Sequence, residues 1–137
     1  MFFNKKEKNT NGSDLVKIGA LLIHAGKIDG YYSKDEEEII KKTLVELGAE
    51  KINIDALIMK AKKYEEDSNQ ILEFTKQVKK MRESDKLEII KSLWKIIYSN
   101  NEADIYETNL MRRLAGLLYI DSSTMGDIKD RIKKEKL

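Results

Sequence analysis

Asp29, Glu36 and Glu107 are the side chains whose type and placement could do chemistry. Asp29 precedes Gly30 in a turn pair, Glu36 stands three residues after Ser33, and Glu107 stands three residues after Asp104. Hard cations such as Ca²⁺ and Mg²⁺ take carboxylate oxygens, and Zn²⁺ accepts them too. Acids gathered ahead of two helices could therefore supply a divalent site. The spacing is not that of the EF-hand calcium loop, so a weakly held ion is expected rather than a preformed cage. The same residues also have a plainer reading. Glu36 and Glu107 occupy the third position after a cap, where a capping-box glutamate belongs, and Asp29 is a good turn former.

His24 is the sole histidine and lies five residues before Asp29. It can be read as a functional imidazole, or as a partly buried packing residue on a helix. With one His, no Cys and no Ser–His–acid arrangement in view, nucleophilic catalysis has no support, and no catalytic residue is expected. Gly26 and Gly30 do not lead into a Lys-Ser/Thr pair, so no phosphate loop is present.

The elements that must position these groups come twice, at an offset of 71 residues. Ile18, Leu22, Asp29, Gly30, Glu36 and Leu47 answer to Ile89, Leu93, Asn100, Asn101, Glu107 and Leu118. Each copy reads as an apolar helix, a tight acidic turn and a second helix, that is, a repeated helical hairpin. The periodicity predicts seven amphipathic helices. Helix 1 runs from about Ser13 to Lys27 with Leu15, Ile18, Leu22 and Ala25 inward, and Gly19 and Gly26 permit close approach. Helix 2 starts at Lys34 behind a Ser33 cap, buries Ile39, Ile40, Leu44 and Leu47, and stops at Gly48. Helix 3 starts at Asn53 or Asp55 and carries Leu57, Ile58, Ala61 and Tyr64. Helix 4 starts at Ser68, and helix 5 at Ser84 with Leu87, Ile90, Leu93, Trp94 and Ile97 inward. Helix 6 starts at Asp104 and buries Leu110, Met111 and Leu114. Helix 7 starts at Ser122 or Ser123 and carries Met125, Ile128 and Ile132. The expected fold class is all-α, a compact bundle with two pseudo-symmetric hairpins whose acidic turns could lie near each other. Residues 1–12 are expected to be a flexible N-terminal segment and 13–137 a single domain.

Composition narrows the function. The chain has 137 residues, no Pro and 7 Gly, which favours uninterrupted helices. Its 26 basic and 24 acidic residues leave a net charge of +2, too mild to argue for nucleic acid. The absence of Cys excludes disulfides and thiolate metal sites and suits a reducing cytoplasm. No apolar run approaches ~18 residues, so no membrane span is expected. Phe2 and Phe3 beside lysines could touch a membrane surface, but a loose tail is the simpler expectation. The charged runs Asp35–Glu38, Lys60–Lys63 and Lys129–Lys136 read as solvated helix faces, the last with the option of docking on an acidic partner. Trp94, Tyr98, Tyr31, Tyr32, Tyr106 and Tyr119 bracket the hairpins, either as core-rim aromatics or as the lining of a groove for a peptide or partner helix.

Asp29-Gly30 with Glu36, and Glu107 followed by Leu110-Met-Arg-Arg-Leu-Ala-Gly-Leu-Leu118, in two halves separated by two helices, resemble the tellurite-resistance TerB-like family. The resemblance covers about Leu15 to Ile120. It implies a compact helical domain linked to stress responses, with tellurite or phage resistance and metal association through acidic residues. The second turn departs from the pattern: Asn100-Asn101 replaces Asp-Gly, which keeps the turn but removes a carboxylate. The expected function is thus a non-enzymatic, stress-associated module. It would bind a divalent cation through Asp29, Glu36 and Glu107 and also a protein partner. The alternatives are a carboxylate-metal-dependent enzyme of helical-bundle type and a ligand-free structural adaptor.

Overall fold

A computed structural model describes residues 12–28, 32–67, 71–99 and 105–136. These residues form seven α-helices: α1 (Gly12–Lys27), α2 (Lys34–Glu46), α3 (Ile54–Asp67), α4 (Ile71–Lys79), α5 (Glu83–Tyr98), α6 (Ile105–Leu117) and α7 (Ser122–Lys136), with a short 3₁₀ turn at Lys51–Asn53 ahead of α3. There is no strand among the described residues. The segment expected to be a flexible N-terminus lies outside them up to Asn11, as do Asp29, Gly30 and Tyr31 in the first acidic turn and residues 100–104 in the second.

The 71-residue offset reappears in the helix bounds. Adding it to α1 and α2 gives the limits of α5 and α6, and both pairs contain helices of 16 and 13 residues. It reappears again where the second helix of each pair ends. At the end of α2 the Ala49 amide donates to Leu44 O (2.9 Å) and the Gly48 amide to Val45 O (3.0 Å). At the end of α6 the Ile120 amide donates to Ala115 O (2.9 Å) and the Tyr119 amide to Gly116 O (3.4 Å). Both are Schellman caps, which need a left-handed residue after the helix. Gly48 supplies it with φ 120°, and in the equivalent place Tyr119 is forced to φ 59°.

Start signals are less uniform. Ser33 caps α2 with the full capping box expected from its sequence. Helix α5 begins at Glu83 rather than Ser84, because Arg82 takes the cap position by backbone conformation alone, with no side-chain bond. Helix α7 begins at Ser122 as expected, and Asp121 ahead of it accepts the Thr124 amide at 2.8 Å. The Thr124 side chain and then its amide hold the exposed Asp121 carboxyl below its ordinary pKa.

Helices α1 and α5 are the central pair. Helix α1 packs against α2, α3, α4 and α5, most extensively on α3, while α5 packs against α1, α2 and α7. Burial on several sides follows: Ala20, Leu21 and Ile23 on α1, and Ile89 and Ile96 on α5, are buried beyond the single stripe read from periodicity. Gly19 is where α1 and α3 close in. A Cβ there would stand 3.0 Å from the Ala61 Cβ. Gly26 is similarly filled, by the Tyr32 ring at 3.0 Å. Two buried polar contacts tie the elements together. Thr43 on α2 and Ser92 on α5 share a hydroxyl–hydroxyl bond. Lys86 on α5, 8% exposed, donates its ammonium to the Leu118 carbonyl at the end of α6 (3.1 Å).

Candidate functional site

Glu36 sits in the first turn of α2, yet it is 1% exposed inside what reads as an acidic outer run. Its placement begins with Ser33, whose side-chain oxygen accepts the Glu36 amide (3.1 Å) while Glu36 Oε1 accepts the Ser33 amide (2.7 Å). The second carboxylate oxygen lies 3.4 Å from the Ser99 hydroxyl, whose single proton is held mainly by the Ile96 carbonyl at 2.6 Å. Ser99 closes α5 and directly precedes Asn100. A single carboxylate thus joins the start of α2 to the last residue before the second turn.

Beside this link lies an open cavity of about 420 Å³. Asp35, Glu38 and Glu135 bring carboxylates to it, Lys95 brings a cation, and Ser99 forms part of the wall. Tyr32 is half-buried; its hydroxyl makes no hydrogen bond of good geometry among the described residues, although Glu37 stands close enough to interact with it. Burial, then the negative charge of Glu37, raises its pKa far above the ordinary tyrosine value. Glu37, expected on the solvent face, instead reaches α3 through Lys62 (3.0 Å).

Of the three expected ligands, Glu36 is the one whose side chain is described. Asp29 lies outside the described residues, and Glu107 is placed in α6 by its backbone alone. Among the described residues no three His, Asp or Glu side chains converge as a metal-holding group. What is on view is a buried capping carboxylate bordering an acidic-rimmed cavity.

A second charged cluster went unread in the sequence. Glu65 on α3, 9% exposed, accepts Lys27 Nζ at 2.7 Å, and its other oxygen lies 3.3 Å from His24 Nδ1. His24 also meets the Phe74 ring at 5.9 Å between centroids. The signal was present, since Glu65 follows Ile58 and Ala61 at helical spacing on the inward face of α3. What could not be seen is that α1 brings a lysine and a histidine to that carboxylate from 38 and 41 residues away.

The family model described as tellurite resistance protein TerB matches residues 16–130. The chain belongs to the TerB family. No curated protein and no solved structure matches it. The matched span runs from the second turn of α1 into α7. The match therefore takes in most of α1, all of α2 to α6, the Glu36–Ser99 contact and the His24–Glu65–Lys27 cluster. Ile132 and Glu135, which complete the far wall of the acidic cavity, lie beyond the TerB match. The described helices include none long and apolar enough to cross a membrane.

Proposed function

We propose that this tellurite-resistance-associated helical module acts in the cytoplasm without catalysing a reaction, binding a protein partner under stress and taking a weakly held divalent cation at its first acidic turn. The observation that carries the reading is the Glu36–Ser99 contact, which ties the first acidic hairpin to the residue before the second turn. An ion held by Asp29, with Glu36 and Glu107 as further oxygen donors, would act on the junction of two helix pairs. A cation there could change how the outer face is presented without any chemistry. A carboxylate-metal enzyme would need four or more acids converging on one cavity, and the described residues supply no such group. The mild net charge of +2 gives nucleic acid no purchase.

Thermal unfolding with added Ca²⁺, Mg²⁺ or Zn²⁺ tests the cation, since a ligand that binds only the native state must raise the melting temperature. Asp29→Asn is expected to remove most of the shift and keep the apo fold, because Asn still forms the turn. Glu36→Gln is expected to weaken the shift while preserving the cap, as Gln also serves in a capping box. No heat and no thermal shift with any of the three ions at millimolar concentration would leave the turns as helix starts and the protein as a ligand-free adaptor.

A further inference from the structure

Against α5 and the first half of α7, whose second half lines the acidic cavity, a groove of about 200 Å³ opens between α5, α6 and α7. Its walls are apolar, made by Trp94, Met111, Ala115 and Met125, and its rim carries Arg112 and Lys129. Gly126 also lines it, and a Cβ there would meet nothing within 4 Å, so open space lies against that helix. Trp94 is 3% exposed, and its indole N–H is buried without an acceptor among the described residues. That N–H is closed to the groove as it is to solvent, so it is a standing cost to the fold and not a contact for a ligand. The rim cations make no ion pair among the described residues. Lys129 lies over the Trp94 ring at 5.4 Å, and Arg112 donates to the neutral Asn109 side chain at 3.3 Å.

We propose that this groove binds a linear acidic segment of a protein partner, with one aromatic or large aliphatic side chain seated against Trp94, Met111 and Met125 and flanking carboxylates on Arg112 and Lys129. The proposal rests on the partner-binding part of the function proposed above. Volume, polarity and charge each narrow the occupant. An enclosed apolar cavity of ~150 Å³ takes a benzene ring, so this groove holds about one side chain and is too small for a drug-sized molecule or a helix face. Two rim cations with no ion pair among the described residues suit acids on the ligand. The chain's own N-terminal Phe2 and Phe3 are followed by Lys5, Lys6 and Lys8, the wrong sign for this rim.

Trp94 is the sole tryptophan, so its fluorescence in the full chain reads the groove directly. The probe is a blocked heptapeptide with a central phenylalanine flanked by glutamates. The expected result is a saturable change in emission that weakens with salt. Replacing the phenylalanine by alanine should cost tenfold or more in affinity, and so should Arg112→Glu or Lys129→Glu in the protein. Gly126→Leu fills the groove with a better helix former and should abolish binding at an unchanged or higher melting temperature. If that variant fails to fold, the two charge reversals still decide. The proposal is overturned by an unsaturable response, by equal binding of a lysine-flanked peptide, or by decanoate binding more tightly than the peptide. These outcomes do not depend on cations. A failed metal titration with a working groove removes the acidic-turn site alone, and the reverse result removes the groove alone.

Discussion

Tyr32 shows how a single side chain can conflict with its surroundings. Its ring fills the space left by Gly26, and Lys62 stands 5.8 Å from the ring centroid, but the hydroxyl is buried with Glu37 nearby and no hydrogen bond of good geometry among the described residues. Tyr32→Phe keeps the ring and removes the orphan, so stability near neutral pH should hold or rise by about 1 kcal/mol in chemical denaturation. The pH dependence carries a sign. Burial and Glu37 raise the folded pKa, so above about pH 10 the unfolded phenol loses its proton while the folded one keeps it. Wild-type stability should therefore fall more steeply above that pH than the Phe variant's, and equal slopes would place the phenol in water. At this scale the sequence is legible for local roles only. Ser33 and Glu36 announced their capping box three residues apart. The burial of Glu36 and its contact with Ser99 depend on a partner 63 residues away, which no spacing rule reaches.

At the scale of the element, the two Schellman caps put the same backbone demand on different residues. Gly48 meets it without penalty, so Gly48→Ala should destabilise by about 1 kcal/mol or more. Tyr119→Gly releases a left-handed side chain worth about 1–2 kcal/mol. It also loses the contact with Lys79, whose ammonium lies 4.8 Å from the ring, worth about 0.5 kcal/mol at an exposed site. Added freedom in the unfolded chain costs about another 0.4–1 kcal/mol. The terms nearly offset, and the variant should lie within about 0.5 kcal/mol of wild type. A paired denaturation experiment checks the contrast, and a large loss in both would mean the Tyr119 side chain matters more than its φ. Helix ends were legible where a residue carries the signal, as Gly48 does. The start of α5 was missed by one residue, because at Arg82 the backbone takes the cap position without a side-chain cap bond.

Across the whole molecule, the α1–α3 contact governs how closely the bundle closes. Nothing in a glycine reports which helix it faces, so Gly19 could be read as a point of approach but not assigned to Ala61. Gly19→Ala would set two Cβ atoms 3.0 Å apart. Neither can rotate away, so the helices must separate, at about 1–3 kcal/mol. Ala61→Gly in the same chain should return part of that loss, and strict additivity in the double-mutant cycle would show that the two positions do not meet. The all-α class and the order of helices were legible because hydrophobic period and caps are local. Which faces of α1 and α5 are buried was legible only in part, because a helix packed on several neighbours has no single stripe.

Lys86 gives the corner after α6 a chemical signature. It is the buried lysine among the described ones, and its amine is held by the Leu118 carbonyl beside the strained Tyr119. An acylating reagent in water meets the other described lysines at the surface, but it can reach this nitrogen only while the end of α6 lifts from α5. Acylation would then neutralise the charge that favours the carbonyl end of that helix, so the corner could not close as before. The order in which lysines are modified thus becomes a record of which part of the fold opens first, kept in covalent form after the protein has closed again.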